Sequence, residues 1–416
     1  FVGYEGRTTG DATVLSILKN GQRTDVLQEG ETGEIILEAT PFYGEIGGQV
    51  GDTGTLEGKE SVCDVVDTRR PLQDLISHIA EVTKGTVRVG DVLHLQVDDE
   101  LRRATEANHS GTHILQAALK AVLGDHIKQS GSLVTPDRLR FDFTHFSKIE
   151  DEELARVERL CNRFIWRNLP VGTTVMALDE AVKTGAPAVF DEKYTDQVRV
   201  VQMGDVSMEL CGGTHVARTG DIGLLKIIHE SAIAAGVRRI EALTGREAIR
   251  YIQKMEGELR RAAGMLRATP LELTEKAEKT LRYQKELERE IETLKGKMAS
   301  RDSSDLLNQV KEIKGVPVLS TIVDAPDAKT LRDFGDKLRD RMPSGIILLG
   351  SQAEGKAMLL CIVTKDLTGR YHAGNLIKAI APVVGGSGGG RPDMAQAGGT
   401  NPDKLEQALA GLEALL

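Results

Sequence analysis

The sequence predicts an α+β multidomain protein. It divides into an N-terminal β-barrel (residues 1–99), an α+β domain (100–245), an antiparallel helical coiled-coil arm (246–314) and a small C-terminal α/β domain (315–416). Three observations carry this division. Short apolar runs between glycine turns stop near Glu100, where apolar residues begin to recur at helical steps. From Leu273 the apolar positions settle into a four–three alternation. After Val316 short apolar runs alternate with helical stretches, the pattern of a small layered domain.

In the first region, residues 34–39, 61–66, 78–82 and 92–97 read as strands, and turn signals at that density suit a barrel or sandwich. A helix is expected from Glu100, with Leu101, Ala104, His109, Thr112, His113, Leu115 and Leu119 on its recurring positions. A strand over 139–143, a charged helix over about 150–168, and further strands and turns to Gly245 follow. Ile252, Met255, Leu259, Ala262 and Leu266 then mark another helix. Thr269-Pro270-Leu271-Glu272 combines a capping threonine, a proline at the first helical position and a glutamate that closes a capping box. The helix it starts keeps Leu273, Ala277, Thr280, Gln284, Leu287, Ile291, Leu294 and Met298 in register, although Thr280 and Gln284 weaken the seam. Two antiparallel helices joined near Thr269 are expected. In the last region, apolar runs at 318–323, 346–349 and 358–363 alternate with helical stretches near 329–341 and 371–381.

No apolar run approaches the ~20 residues of a membrane-spanning helix, so no membrane partner is expected. The four cysteines, Cys63, Cys161, Cys211 and Cys361, are too scattered for a disulfide framework. A reducing, cytoplasmic location follows as the expectation. The chain opens on Phe1 and its first methionine is Met176, which points to a piece of a longer polypeptide. The net charge of −9 is unevenly distributed: residues 1–100 hold 19 acidic and 8 basic side chains, or −11, and the rest stands at +2. Residues 236–267 carry eight basic and four acidic side chains, a local basic surface. Aromatic residues at 4% argue against a repeated stacking platform for single strands.

The sharpest chemical signal is His109-Ser110-Gly111-Thr112-His113. Histidines four apart on a helix project from one face and suit a shared metal; two unrelated histidines on one face is the plainer alternative. Cys211-Gly212-Gly213-Thr214-His215 adds a thiolate and an imidazole across two glycines, whose backbone freedom lets both side chains converge. Together they offer three imidazoles and a thiolate, a donor set that favours zinc. A zinc peptidase would need a glutamate directly after the first histidine, where Ser110 stands. Two glycine-rich stretches, 44–54 and 385–390 followed by Arg391, read by spacing as flexible turns. The second has the alternative of presenting N–H groups and an arginine to a phosphate.

These residues resemble a known family. HSGTH at 109–113, CGGTH at 211–215, RTGDIG at 218–223 and AAGVRRIEALTG at 234–245 resemble the editing domain of alanyl-tRNA synthetases. FVGYEG at 1–6 and FYGEIGGQVGDTG at 42–54 resemble the barrel segment before it, and GGSGGGRPDMAQAGG at 385–399 resembles the family's C-terminal domain. Ser387 departs from a lysine frequent in the family, which weakens a phosphate role for that loop.

The resemblance implies one zinc ion per chain on His109, His113, Cys211 and His215, with Gln129, Thr112 and Ser132 lining an editing pocket beside Cys211. Gln129 would position water or substrate and Thr112 would read a serine hydroxyl. It implies tRNA(Ala) as partner, a homodimer formed through the C-terminal region, and Arg238, Arg239 and Arg391 as RNA contacts. The aminoacylation domain, with its ATP and Mg2+, would lie upstream of Phe1. A pocket sized for alanine cannot exclude glycine, and one added hydroxyl or missing methylene is worth only ~1–3 kcal/mol, so Ser-tRNA(Ala) and Gly-tRNA(Ala) need hydrolysis at a second site. Three rivals stand beside this expectation: a non-catalytic zinc-stabilised tRNA-binding and dimerisation module, a phosphoesterase lacking the usual aspartate-rich metal cluster, and a free-standing editing protein.

Overall fold

The computed structural model describes residues 1–4, 6–72, 74–183 and 196–416. Glu5 of the opening motif and the side chain of Met298 lie outside the described residues. The chain divides into two compact units, Phe1–Ala262 and Ala263–Leu416.

The first unit begins with a β-barrel. Its ring runs Thr9–Lys19, Thr32–Leu37, Leu75–Lys84, Val62–Leu72, Gly54–Glu57 and Val92–Val97, and closes because Val92–Val97 pairs back onto Thr9–Lys19. Closure removes the open edges that an isolated sheet exposes. Val92–Val97 shows the alternation behind it, with Leu93, Leu95 and Val97 buried and the residues between them exposed. All four expected strands are present; the long strand Thr9–Lys19 is an addition to the sequence expectation. His78 sits inside the barrel, where Nδ1–H donates to the Ile35 carbonyl at 2.9 Å and Nε2 accepts from Thr40 Oγ1 at 2.8 Å.

The barrel leads into the helix Asp99–Leu123, whose first turn is capped by Asp98 accepting from the Leu101 N–H. Here the expected apolar face needs correction: Leu101 is exposed, and its neighbour Arg102 is buried. The Arg102 guanidinium grips Asp52 of the glycine-rich loop and donates to the Pro41 carbonyl at 2.7 Å, which satisfies a charge that could not otherwise leave water. From Ala107 to Gln116 every residue of this helix is buried, so it is enclosed rather than one-sided.

An antiparallel sheet in the order Gln129–Val134, Leu139–Thr144, Val237–Thr244, Leu225–Ala234 packs on that helix and on Asp151–Trp166. Ile114, Leu115, Phe141, Val157, Ile165 and Ile240 fill the space between them. A second sheet, Val171–Ala177, Gln197–Met203 and Ser207–Leu210, delivers the chain to Cys211.

The second unit opens with the helix Leu273–Leu307, preceded by the expected Thr269–Glu272 capping box with Pro270 at its first position. Leu287, Ile291 and Leu294 of its apolar repeat are exposed. The six-stranded sheet that follows is antiparallel except where Val316–Ile322 runs parallel to Ile346–Ala353. It buries alternate residues against Ala373–Ile380 on one face and Ala328–Arg341 on the other. The glycine run expected as a flexible turn is instead the edge strand Gly386–Gly390, paired along its length with Met394–Gly399. A Cβ at Gly388 would lie 2.3 Å from the Gln396 carbonyl oxygen, so close backbone approach accounts for the glycines there.

Candidate metal centre

His109 and His113 lie one turn apart on the enclosed helix, and Cys211 and His215 bracket the loop after the strand Ser207–Leu210. One nitrogen or sulfur from each of the four lies within 4.8 Å of all the others. Cys211 Sγ stands 3.4 Å from His109 Nε2 and 3.3 Å from His215 Nε2. Each imidazole has a neighbour at its far nitrogen. His109 Nδ1 meets Gln49 Oε1 at 2.7 Å, and His215 Nδ1 meets Ser110 Oγ at 3.1 Å. His113 Nδ1 lies 3.0 Å from Glu209 Oε2, close enough for an ion pair but not aligned as a hydrogen bond. At His109 the Gln49 oxygen can only accept, so Nδ1 carries the proton and Nε2 is left free to ligate.

The electrostatics suit a cation. Burial would raise the Cys211 thiol, but His109 and His215 outweigh it and hold the group well below its ordinary value. Burial pushes His215 down to about 3, which keeps it neutral. For His113 burial is overcome by Glu209 and Cys211, which lift the imidazole to about 10, so a metal binding there must displace a proton from it. Glu209 itself is held below its usual range, because His113 and Ser207 overcome its burial. Three imidazoles and a thiolate, with a partner at each Nδ1, fit zinc.

Contacts from distant segments hold the ligands. Gln49 is fully buried; its amide donates to Thr214 Oγ1 at 2.9 Å, and its oxygen also accepts from the Thr214 N–H at 3.0 Å. The stretch read by spacing as a flexible turn is therefore part of the site, pinned by Asp52–Arg102 at one end and by Gln49 in its middle. Arg199 donates to the carbonyls of Cys211 at 3.1 Å and Gly213 at 2.6 Å, and the Tyr4 hydroxyl donates to the Gly212 carbonyl at 2.8 Å. The glycines also need a revised explanation. Neither Gly212 nor Gly213 has the left-handed backbone that favours glycine. At Gly213 the constraint is space, since a Cβ would sit 2.0 Å from His109 Cε1.

The centre forms one wall of a pocket of about 90 Å³. Thr112, Gln129 and Ser132 line it with His109, His113, Glu209, Leu210, Cys211, Gly212 and Gly213, and Tyr43, Ile46, Gly47 and Arg70 of the first region complete it. Gln129 and Ser132 come from the strand Gln129–Val134 rather than from the metal helix. Gln129 Nε2 donates to Ser132 Oγ at 3.3 Å, and the Thr112 hydroxyl donates to the Asn108 carbonyl at 2.9 Å, which leaves its oxygen as an acceptor. The three candidate RNA contacts lie outside this lining. Arg238 is paired with Glu230, and Arg239 with Asp142 through two bonds of 2.7 Å. Arg391 belongs to the second unit; it is exposed and lies 3.4 Å from Asp393.

Gln49, Glu209, Arg199 and Arg70 join the site without having been expected from the sequence. Glu209, two residues before Cys211, had a local signal in its spacing; Gln49 had none, because its contacts are with residues 60 and 165 positions away.

Family models match three stretches: "tRNA synthetases class II (A)" over residues 1–101, "Threonyl and Alanyl tRNA synthetase second additional domain" over 198–241, and "DHHA1 domain" over 315–416. The chain is 50% identical over 414 residues to an alanine–tRNA ligase of Carboxydothermus hydrogenoformans, covering 100% of this chain and 47% of that protein. It is 50% identical over 409 residues to that of Anaeromyxobacter dehalogenans, covering 98% and 45%. The chain thus spans about half the length of the curated relatives it matches. A crystal structure of the C-Ala domain from Aquifex aeolicus alanyl-tRNA synthetase matches at 27% identity and a TM-score of 0.25, covering 26% of this chain and 96% of that one.

Proposed function

The chain is homologous along its whole length to alanine–tRNA ligases, of which it spans about half, and on that premise we propose that it is the editing and tRNA-capture portion of such an enzyme. In this reading it hydrolyses the ester of Ser-tRNA(Ala) and Gly-tRNA(Ala) and spares Ala-tRNA(Ala), while alanine attachment with ATP belongs to a domain outside the chain. The observation that carries the proposal is the small polar pocket built against the His109, His113, Cys211 and His215 cluster.

Its volume of about 90 Å³ suits a small aminoacyl group. Thr112, with its proton committed to Asn108, accepts from a serine hydroxyl. Gln129, its amide N–H tied to Ser132, keeps its oxygen for a water molecule or the substrate's ammonium. Water adds to the ester carbonyl and the acyl carbon–oxygen bond breaks; one water proton leaves with the ribose hydroxyl, and the other passes to solvent as the amino acid departs as a carboxylate. An activated ester of this kind requires positioning and polarisation rather than a strong nucleophile. Zinc on all four ligands would order the pocket and orient the substrate; on three, with the fourth position open, it would help to polarise the ester. The second unit would capture tRNA, with Arg391 as a phosphate contact, and would join two chains through the exposed Leu287, Ile291 and Leu294 stripe. At Arg238 and Arg239 a phosphate must compete with Glu230 and Asp142.

The test is deacylation of Ser-tRNA(Ala), Gly-tRNA(Ala) and Ala-tRNA(Ala) by the chain and by Cys211→Ala, with folding followed by circular dichroism. Loss of serine and glycine with alanine spared, abolished in a folded Cys211→Ala, is expected. Hydrolysis unchanged in that variant, or tRNA binding without hydrolysis, would overturn the proposal.

A further inference from the structure

Phe146 is 88% exposed, far beyond what an aromatic ring adopts when it serves a core. It follows the strand Leu139–Thr144 and rests over Gly236, whose φ is +73° and where a Cβ would lie 2.9 Å from the ring's Cε1. His145 holds this seat by donating its backbone N–H to the Gly236 carbonyl at 2.9 Å. One edge of the ring thus lies against backbone, and most of its surface is open. Beside it the rings of His126 and His145 stack at 5.2 Å, linked Nε2 to Nδ1 at 2.9 Å, and His145 Nε2 meets Ser147 Oγ at 3.1 Å. Lys128 and Lys148 are exposed and, unlike Arg238 and Arg239, have no carboxylate partner among the described residues.

The cluster also has a defined relation to the pocket. Gln129, which lines the pocket, pairs in register with Phe143. Phe146 lies three residues further on, at most about 10 Å away at ~3.3 Å per residue. Lys128 and Thr144 continue the ladder into the cluster, with the Lys128 N–H donating to Thr144 Oγ1 at 3.0 Å. An aminoacyl ester held in the pocket is attached to the 3′ end of an RNA, and a path past this cluster would carry the nucleotides before it.

We propose that Phe146 is a stacking seat for an unpaired nucleobase near the 3′ end of the RNA that carries the ester, with Lys128 and Lys148 meeting its phosphates. The inference rests on the editing function proposed above. A single ring flanked by imidazoles and unpaired lysines suits a nucleobase on a polyanion better than the broad apolar patch of a protein contact. The low aromatic content excludes a run of such seats along a strand, not one seat beside a pocket.

The test compares wild type, Phe146→Ala and Phe146→Trp for binding to two RNAs: an acceptor-stem hairpin with a single-stranded CCA 3′ end, and the same stem blunt-ended. Stacking predicts that Phe146→Ala weakens the overhang hairpin by roughly 5- to 100-fold, that Phe146→Trp retains it, and that both variants bind the blunt stem as wild type does. An equal loss on both RNAs, or no loss on the overhang, would refute the seat. A change in sedimentation on Phe146→Ala without loss of RNA binding would assign the ring to a protein contact instead. If wild type binds the overhang in this way but hydrolyses no seryl-tRNA, the seat stands and the editing proposal falls.

Discussion

Replacing Gly213 by alanine isolates the demand that the metal loop places on its own backbone. The new Cβ would stand 2.0 Å from His109 Cε1, 2.3 Å from His109 Nδ1 and 2.8 Å from Gln49 Oε1. Carbon atoms in contact keep about 3.5–4.0 Å apart, so the imidazole must retreat by roughly 1.5 Å or the loop must move by as much. Zinc–nitrogen bonds hold near 2.0–2.1 Å, with only about 0.2 Å of latitude, and either movement therefore removes a ligand. Disturbing a partner of a ligand costs about 10- to 100-fold in metal affinity; displacing both the ligand and its partner Gln49 should cost at least about 100-fold on the same scale. Gly212→Ala is the matched control, since a Cβ there meets nothing within 4 Å and the backbone is not left-handed. The assay is zinc competition against a chromophoric chelator, with metal content measured on the purified proteins. Wild-type zinc affinity in Gly213→Ala, or equal loss in Gly212→Ala, would show that His109 and this loop do not share a metal.

Gln49→Leu should weaken zinc about 10- to 100-fold by freeing the His109 ring, read by the same competition. Asp52→Ala strands the buried Arg102 guanidinium and should cost about 3–5 kcal/mol in urea unfolding of the first unit, and Arg102→Met should cost a comparable amount because it strands the buried Asp52 carboxylate. His78 is held down to about 4 by burial. The unfolded chain, with an ordinary value near ~6.5, therefore takes up the proton first. Its contribution to stability is complete above about pH 6.5 and is lost as pH falls toward 4, by up to ~3 kcal/mol. Glu106, raised by burial to about 7, acts with the opposite sign: its contribution is complete below its ordinary value and is lost as pH rises through 7. The His78 term is thus read as the difference in pH dependence between wild type and His78→Gln, and equal slopes would exclude it. Glu272→Ala opens the capping box of the long helix and should lower its stability by about 1 kcal/mol, monitored by helicity on heating.

What was legible in the sequence was local. The helix that carries His109 and His113, the loop from Cys211 to His215, and the capping box at Thr269 are each written within a few residues, and each is found where spacing put it. The strand Thr9–Lys19 escaped because its alternation breaks: the register shifts between Val14 and Ser16, and Leu15 between them is 55% exposed. Leu101 and Arg102 exchanged their expected positions because helical periodicity ranks side chains by apolarity. That ranking cannot anticipate a carboxylate at Asp52, fifty residues earlier, that makes an arginine the buried partner. The glycine-rich loop at 44–54 looked like a turn for the same reason. Its meaning lies in Gln49, whose partners His109 and Thr214 come from elsewhere in the chain.

The arrangement around the cluster bears on whether a bound metal would serve the fold alone. A purely structural zinc is best placed where the chain seals it, with four ligands and no vestibule. Here His109, His113 and Cys211 face a pocket, and its other walls carry Thr112, Gln129 and Ser132, small polar groups that a sealed core would replace with aliphatic ones. Part of that pocket comes from Tyr43, Ile46, Gly47 and Arg70, residues of the barrel region that a metal-stabilised fold has no need to bring there. Holding them in place uses the buried Asp52–Arg102 ion pair, and the desolvation of such a pair makes it a poor source of stability in itself. A buried ion pair that fixes one loop against a metal helix is better explained by what the loop then presents. It presents a wall to the pocket and Gln49 to His109, which is the arrangement expected where a metal and a small bound group must be held together.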